Sequence, residues 1–162
     1  MKWPVLNRYH RTMKTVALLL LFPFFPHPAV AHQAAQTQNP CEEKPISQRQ
    51  MDNCAAFQYK EAEAHLNKVH QKVVQYMTDD LARAQEQRDQ KQIKYEETAI
   101  ASLREAERTW ISYRDIQCKA AAQQYEGGSM APMIYSQCLT TLTEHRTADL
   151  KSIYEDGDRK LD

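Results

Sequence analysis

The sequence predicts an all-α fold, an antiparallel three-helix up-down-up bundle stapled by two disulfides, and three observations carry that prediction. Between Pro45 and Gly127 lie 81 residues without Gly or Pro, built mainly from Ala, Gln, Glu, Lys and Arg, a composition that favours helix and is sparse in strand formers. Apolar residues recur through this interval at three- and four-residue spacing, the mark of helices with one buried face. Cys41, Cys54, Cys118 and Cys138 form an even set downstream of an export-type leader, the context in which cysteines pair as disulfides rather than bind metal or run redox chemistry.

The leader is expected to be residues 1–31. Lys2, Arg8, Arg11 and Lys14 make a positive n-region, Val16 to Phe25 an apolar run, and Ala29-Val30-Ala31 an A-x-A cleavage site. A run of about ten residues is too short to span a bilayer, which takes about 20. Met13 is an alternative start that yields the same cleaved product. Removing the leader leaves 17 Lys and Arg against 21 Asp and Glu, a formal charge of −4. An acidic balance argues against nucleic acid, whose phosphates need a basic face, and favours attraction to a cationic protein. Gln38-Asn39-Pro40 does not provide the small, apolar lead-in to Cys41 that lipidation requires, so no membrane anchor is expected. Residues 32–40 read as a disordered polar linker, 41–156 as one helical domain and 157–162 as a frayed tail.

Ser47-Gln48-Arg49-Gln50 fits a capping box and places the start of the first helix. Met51, Ala55, Tyr59, Ala62, Leu66, Val69, Val73 and Met77, extended by Leu81 and Ala84, draw its apolar stripe. Arg88 and Lys91 then occupy stripe positions, so a hairpin turn is expected between Glu86 and Gln92, with Asp89 and Gln92 capping the return helix; Thr78-Asp79-Asp80 is a rival break. The second helix carries Ile93, Ile100, Leu103, Ala106, Trp110 and Tyr113 and runs to about Gln124. Glu126-Gly127-Gly128-Ser129 ends it, with Ser129 the expected N-cap of a third helix and Pro132 in its first turn. Tyr135, Cys138, Leu139, Leu142, Leu150 and Ile153 form the third stripe. Three helices with one stripe each bury those stripes most simply against one another.

Up-down-up topology brings the four cysteines to one end of the bundle. Of three possible pairings, closeness in the hairpins favours Cys41 with Cys54 and Cys118 with Cys138. The two loops of some 13 and 20 residues are each worth about 3 kcal/mol in the chain-entropy model.

Catalysis finds little footing. His65 and His70 are five apart and do not face one another on a helix, and no HExxH, CxxC, nucleophile elbow or phosphate-binding Gly loop occurs. No metal and no cofactor are expected. Trp110, Tyr113 and Tyr59 fit the core stripes, and Asn53 and Asn67 fit local hydrogen bonding. Arg114, Asp115 and Arg146 are structural polar candidates, with Asp115 the expected partner of Arg146.

The chain resembles the LprI-type lysozyme-inhibitor-like domain family. The likeness rests on Cys41, on Gln50-Met51-Asp52-Asn53-Cys54-Ala55, on Tyr59, Ala62 and Leu66-Asn67, and on Trp110-Ile111-Ser112-Tyr113-Arg114-Asp115 with Cys118; Gly127-Gly128-Ser129, Cys138, Leu142-Thr143 and Arg146 complete it. The resemblance implies a small helical fold and a periplasmic or secreted, non-enzymatic binding protein that occludes a muramidase sterically. The family's namesake is a lipoprotein, and this chain departs from it in lacking a lipobox. A second reading is an envelope interaction or stress-associated module whose partner is another periplasmic protein. Protein inhibitors of glycosidases often place a projecting loop in the substrate cleft, which makes Glu126, Gly127, Gly128, Ser129 and Met130 the candidate binding segment; a plain helix connector is the competing role.

Intact-mass measurement of the exported protein is expected to give a chain that begins at His32 and carries no acyl groups. A diacylated N-terminal Cys41 would overturn both the cleavage site and the unanchored state.

Overall fold

The computed structural model describes residues 39–156 and 159–161. The expected leader lies outside the described residues, as does most of the expected linker. Three helices form the bundle: α1 (Gln48–Glu86), α2 (Gln90–Gln123) and α3 (Ala131–Tyr154). Each packs on the other two, α3 most extensively on α1. The start of α1 lies beside the start of α3, where Gln48 Nε2 approaches Met133 Sδ at 3.9 Å, so these two helices run in the same direction and α2 returns between their ends.

The helix ends follow from local chemistry. Ser47 Oγ accepts from the Gln50 N–H at 3.3 Å, and Gln50 Oε1 accepts from the Ser47 and Ile46 N–H groups at 3.0 and 3.1 Å, a reciprocal cap that satisfies donors otherwise orphaned in the first turn. At the far end the Arg88 N–H donates to the Gln85 carbonyl and the Asp89 N–H to the Ala84 carbonyl, both at 3.1 Å. This is a Schellman closure, and it holds Arg88 at φ 56°, a left-handed position usually given to Gly. Asp89 then caps α2, its Oδ1 accepting from the Lys91 and Gln92 N–H groups at 3.1 and 3.0 Å. The turn is thus where the charged stripe positions place it, and α1 passes unbroken through Thr78-Asp79-Asp80. The third helix differs from expectation. Its N-cap is Met130, with no side-chain cap bond, while Ser129 lies in the preceding turn and Pro132 supports the first turn.

The core is unevenly distributed. Leu66, Val69, Val73, Met77, Ile100, Leu103, Leu150 and Leu161 form its buried cluster, which runs from Leu66 at the middle of α1 toward the end remote from the cysteines. Along α2 the buried line runs Glu96, Ile100, Leu103, Arg114 and Cys118, with Glu107 and Trp110 half-buried between them. Ala106 and Tyr113, expected on that line, are exposed. In α3 the buried residues are Leu139, Thr143, Thr147 and Leu150, whereas Ile153, expected inside, is 66 % exposed. Thr147 Oγ1 donates to the Thr143 carbonyl at 2.9 Å, which lets that hydroxyl enter the interior.

Residues 159–161, which the sequence places in a frayed tail, pack against the bundle. Helix α1 has 39 residues and α3 only 24, a difference of about 22 Å at 1.5 Å per residue, so the last turns of the α1–α2 hairpin lack a third helix. The chain beyond α3 covers this gap. Leu161 is 1 % exposed within the core cluster, and its N–H donates to Glu155 Oε1 at 3.0 Å. The Tyr76 hydroxyl donates to the Lys160 carbonyl at 3.0 Å, and Arg159 Nη2 donates to Asp80 Oδ2 at 2.8 Å while its guanidinium stacks over the Tyr76 ring. A polar segment after a glycine reads as solvated in sequence because the one leucine that anchors it has no periodic neighbours.

Leu161→Ala is expected to destabilise the fold by about 2–4 kcal/mol, the cost of emptying a buried leucine site. Ile153→Ala should change stability by less than about 0.5 kcal/mol. Urea unfolding of both variants checks the pair, and a neutral Leu161→Ala would show that the segment does not cap the core.

Candidate functional site

The cysteines pair as Cys41–Cys54 and Cys118–Cys138, with Cα separations of 4.9 and 5.4 Å. One bond fastens the segment that leads into α1, and the other joins α2 to α3 across the loop between them. Asn39 shapes the leading segment further: its Oδ1 accepts from the Cys41 N–H at 2.9 Å and its carbonyl accepts from the Glu42 N–H at 3.2 Å.

Between α2 and α3 the chain makes a compact connector that is exposed along its length. The Gly128 N–H donates to the Tyr125 carbonyl at 3.0 Å, and Gly127, third in that turn, has φ +77°, the geometry for which type II turns select Gly. Gln123 Nε2 donates to the Glu126 carboxylate, so that side chain is drawn back toward α2. The small residues Gly127, Gly128 and Ser129 are left at the tip. The structure therefore brings Glu126 to Met130 together as one turn between two disulfide-linked helices.

Exposed apolar side chains gather at this same end. Among the described residues, the large ones are Ile46, Tyr95, Ile111, Tyr113, Ile116, Tyr125, Met130 and Ile153. All but Tyr95 and Ile153 sit on the last turns of α2, in the connector, or just before α1. Ile111 and Tyr113, two positions apart on a helix, face different sides of α2, so these side chains are distributed around this end of the molecule. The stripe reading placed Tyr113 in the core; its 55 % exposure moves it to the surface.

Arg114 lies on the opposite, inward flank of α2 and is 7 % exposed. Its guanidinium stacks over Trp110 at 5.1 Å and Tyr59 at 5.6 Å. Its Nε and Nη2 donate to Asp115 Oδ1 at 2.9 and 2.8 Å, and Glu63 lies 3.8 Å away. Arg146 pairs instead with Glu107 of α2, where Nε donates to Oε1 at 2.9 Å and Nη2 donates to the same oxygen. The expected Asp115 to Arg146 pair is therefore corrected: Asp115 follows Arg114 directly and serves it, while Glu107 faces α3. Both arginines hold helices together, because a buried guanidinium must find carboxylates and ring faces. His65 is exposed on α1, as are Asn53 and Asn67. No group of three His, Cys, Asp or Glu side chains is arranged for a metal ion, and no helix is long and apolar enough to cross a membrane, among the described residues.

Residues 41–150 match the family described as "Lysozyme inhibitor LprI". The chain belongs to this family. Both disulfides, the capping box, the α1–α2 turn and the Gly connector fall inside the matched span. An uncharacterized protein of Rhizobium meliloti (strain 1021) is 38% identical over 128 residues, covering 76% of this chain and 86% of that protein. No solved structure matches the chain. An LprI-family domain that packs as a three-helix bundle with two disulfides agrees with what the sequence resemblance implies about fold.

Burial raises the Tyr59 phenol well above its ordinary range, and its hydrogen bond to Glu63 at 2.7 Å adds to this; Arg114 opposes it. Burial likewise raises Tyr154, against the lowering effect of Arg146. Both groups hold their protons more tightly in the folded chain than in the unfolded one. Their contribution to stability is present in full below about pH 10, the ordinary tyrosine value, and is lost as pH rises above it. Urea midpoints are expected to fall through the alkaline range, less steeply in Tyr59→Phe. An equal slope in that variant would remove Tyr59 as a cause.

Proposed function

We propose that the protein is an exported inhibitor that binds a muramidase and blocks its substrate cleft sterically, with the Glu126 to Met130 connector as the inserting element. The observation that carries this reading is the coincidence, in an LprI-family chain, of a constrained small-residue turn with the exposed side chains of Tyr125 and Met130 on either side of it, between two disulfide-linked helices. A muramidase cleft contains two carboxylates that bracket the glycosidic bond. Gly127, Gly128 and Ser129 carry no charge to repel them, and the Gln123 contact turns the Glu126 carboxylate away from the tip. Tyr125 and Met130, at the two shoulders of the connector and each 40 % exposed, would lie against the cleft rim, where aromatic and Met side chains are typical anchors. Constraint by the Cys118–Cys138 bond lowers the entropy lost when the loop docks. No chemistry is required of the inhibitor, which fits a surface of anchors and turns rather than a cleft of reacting groups.

A disulfide framework and an A-x-A leader support export to an oxidising compartment. The acidic balance of the mature chain supports encounter with a cationic enzyme through long-range attraction. An envelope protein unrelated to muramidases is the other partner that this surface would accept.

In a peptidoglycan turbidity assay the mature protein is expected to slow lysis by added lysozyme. Tyr125→Ala, or a bulky residue at Gly128, should weaken inhibition about thirtyfold, near 2 kcal/mol, with helical circular dichroism intact. A Cβ at Gly128 meets the Tyr125 carbonyl at 3.2 Å, so thermal unfolding of that variant is measured alongside. Unchanged inhibition by both folded variants would exclude the connector as the inserting element.

A further inference from the structure

The outer side of α2 carries a second periodicity that the core does not use. From Tyr95 to Ala120 a line of residues spaced alternately by four and three is uncharged throughout, although α2 elsewhere is rich in Glu, Lys and Arg. That is the 3.5-residue repeat of a coiled-coil seam. The line starts one position before the buried line and so lies about 100° around the helix from it. Its Ala99 is half-buried and its other members are exposed, Tyr95 and Ile116 each by 65 % and Tyr113 by 55 %. In one orientation this line complements itself. A two-fold axis passing between Glu107 and Arg108 sets Tyr95 against Ala120 of a second copy, Ala99 against Ile116, Ser102 against Tyr113 and Ala106 against Thr109. Three of the four pairs then join a large side chain to a small one, as interlocking helices require. A parallel pairing sets each residue against itself, so that Tyr113 collides with Tyr113 and Ala106 leaves a gap.

Shape, charge and area each agree with that two-fold. A depression of about 310 Å³ lies between α2 and α3, lined by Ala99, Ser102 and Ala106 on one side and by Leu150 and Ile153 on the other, and the residues that the axis brings to Ala99 and Ser102 are the exposed Ile116 and Tyr113. Each copy also carries a Glu105–Arg108 ion pair next to the axis. The two-fold places these pairs head to tail, carboxylate beside guanidinium. The line is about 38 Å long at 1.5 Å per residue, and with a helix about 10 Å wide it covers about 800 Å² over two copies. Ile153, 66 % exposed at the rim of the depression, adds contact with α2 of the second copy and brings the total to the ~1,000 Å² that a specific interface needs. We propose that the protein forms an antiparallel homodimer through this face of α2, with Tyr113 and Ile116 of each copy seated in the α2–α3 depression of the other. Such a contact is isologous and closes on itself. It is independent of the muramidase reading, and it leaves the two connectors at opposite ends of the dimer.

Sedimentation equilibrium of the disulfide-bonded protein between about 10 μM and about 1 mM is expected to show a monomer–dimer equilibrium, since an interface of this size associates weakly. Ser102→Glu and Tyr113→Lys change exposed positions and should leave helical circular dichroism intact. Each alone is expected to weaken the dimer about tenfold or more by burying an unpaired charge. Combined in one chain they should restore it toward wild type, because the two positions are about 16 Å apart along one helix and can pair only between antiparallel copies. Ile111→Lys, at an exposed apolar site on another side of α2, is the control and should stay within about twofold of wild type. A wild type that remains monomeric to about 1 mM overturns the dimer and leaves the face to a helix of another protein. Dimerisation that both single variants leave intact overturns this face as the interface, and a double variant no tighter than the singles overturns the antiparallel register. None of these readouts involves lysozyme, so failure of the inhibitor reading does not touch them.

Discussion

The disulfide-linked half of this bundle contains few large apolar side chains, and the rest of the architecture depends on how that deficit is met. Its buried positions are Ala55, Ala62, Cys118, Leu139 and Thr143, together with Arg114. The leucine and valine cluster runs from the middle of the bundle into the other half. At about 25 cal/mol per Å² of apolar area, alanines and threonines contribute little attraction between helices. Two covalent bonds at this end supply what burial does not, each by restricting the unfolded chain. Arg114 completes the arrangement. Stacked between Trp110 and Tyr59 and bonded to Asp115, it fills space that an aliphatic residue would otherwise occupy. Truncating it would leave two rings without a filler and the carboxylates of Asp115 and Glu63 without their cation.

The two halves are therefore stabilised by different means, and that difference separates fold from recognition. The remote half is closed by Leu161 and the Arg159–Asp80 pair, and among the large apolar side chains of the described residues it exposes only Tyr95 and Ile153. Among the described residues the linked half exposes six and presents a connector whose flanking helices are bonded together. A surface rich in exposed apolar groups weakens a fold that relies on burial, since each such group in the interior would add stability. Disulfides decouple these demands: side chains at this end are free to face a partner because the helices do not need them inside.

Sequence patterns showed much of the fold and little of the surface. The α1 stripe was legible because its buried positions, from Ala55 to Ala84, are all apolar, and Ser47 with Gln50 and Asp89 marked helix starts through the chemistry of orphan N–H groups. In α2 the same logic misplaced the buried line, because Glu96, Glu107 and Arg114 occupy inward positions and a hydrophobicity pattern counts charges as outward. Tyr113 was drawn inside as a result. In α3 Thr143 and Thr147 are inward and Ile153 is outward, an inversion that hydropathy cannot detect. The pairing of Arg146 with Glu107 depends on how α2 and α3 are rotated against each other, which no one-dimensional spacing specifies. The candidate binding segment stands out by its Gly-Gly-Ser composition, and composition cannot say that the flanking Tyr125 and Met130 are exposed beside it.

The span shared with the LprI family, residues 41–150, stops before the segment that closes the core. It contains both disulfides, Arg114 with its rings and the connector, and it omits Glu155, Arg159 and Leu161. The likeness thus covers the half that carries the proposed binding connector, while the cap of the remote half falls beyond it. Physically these are separable. The missing third-helix turns have to be covered by something apolar, and any leucine held at the right distance by a tether to α1 would do; the tether here is Asp80 with Tyr76. The linked end has no such latitude, because moving one cysteine or Arg114 alters the angle between helices and with it the direction of the connector. A functional reading drawn from family membership therefore rests on the part of the molecule whose geometry is most tightly constrained.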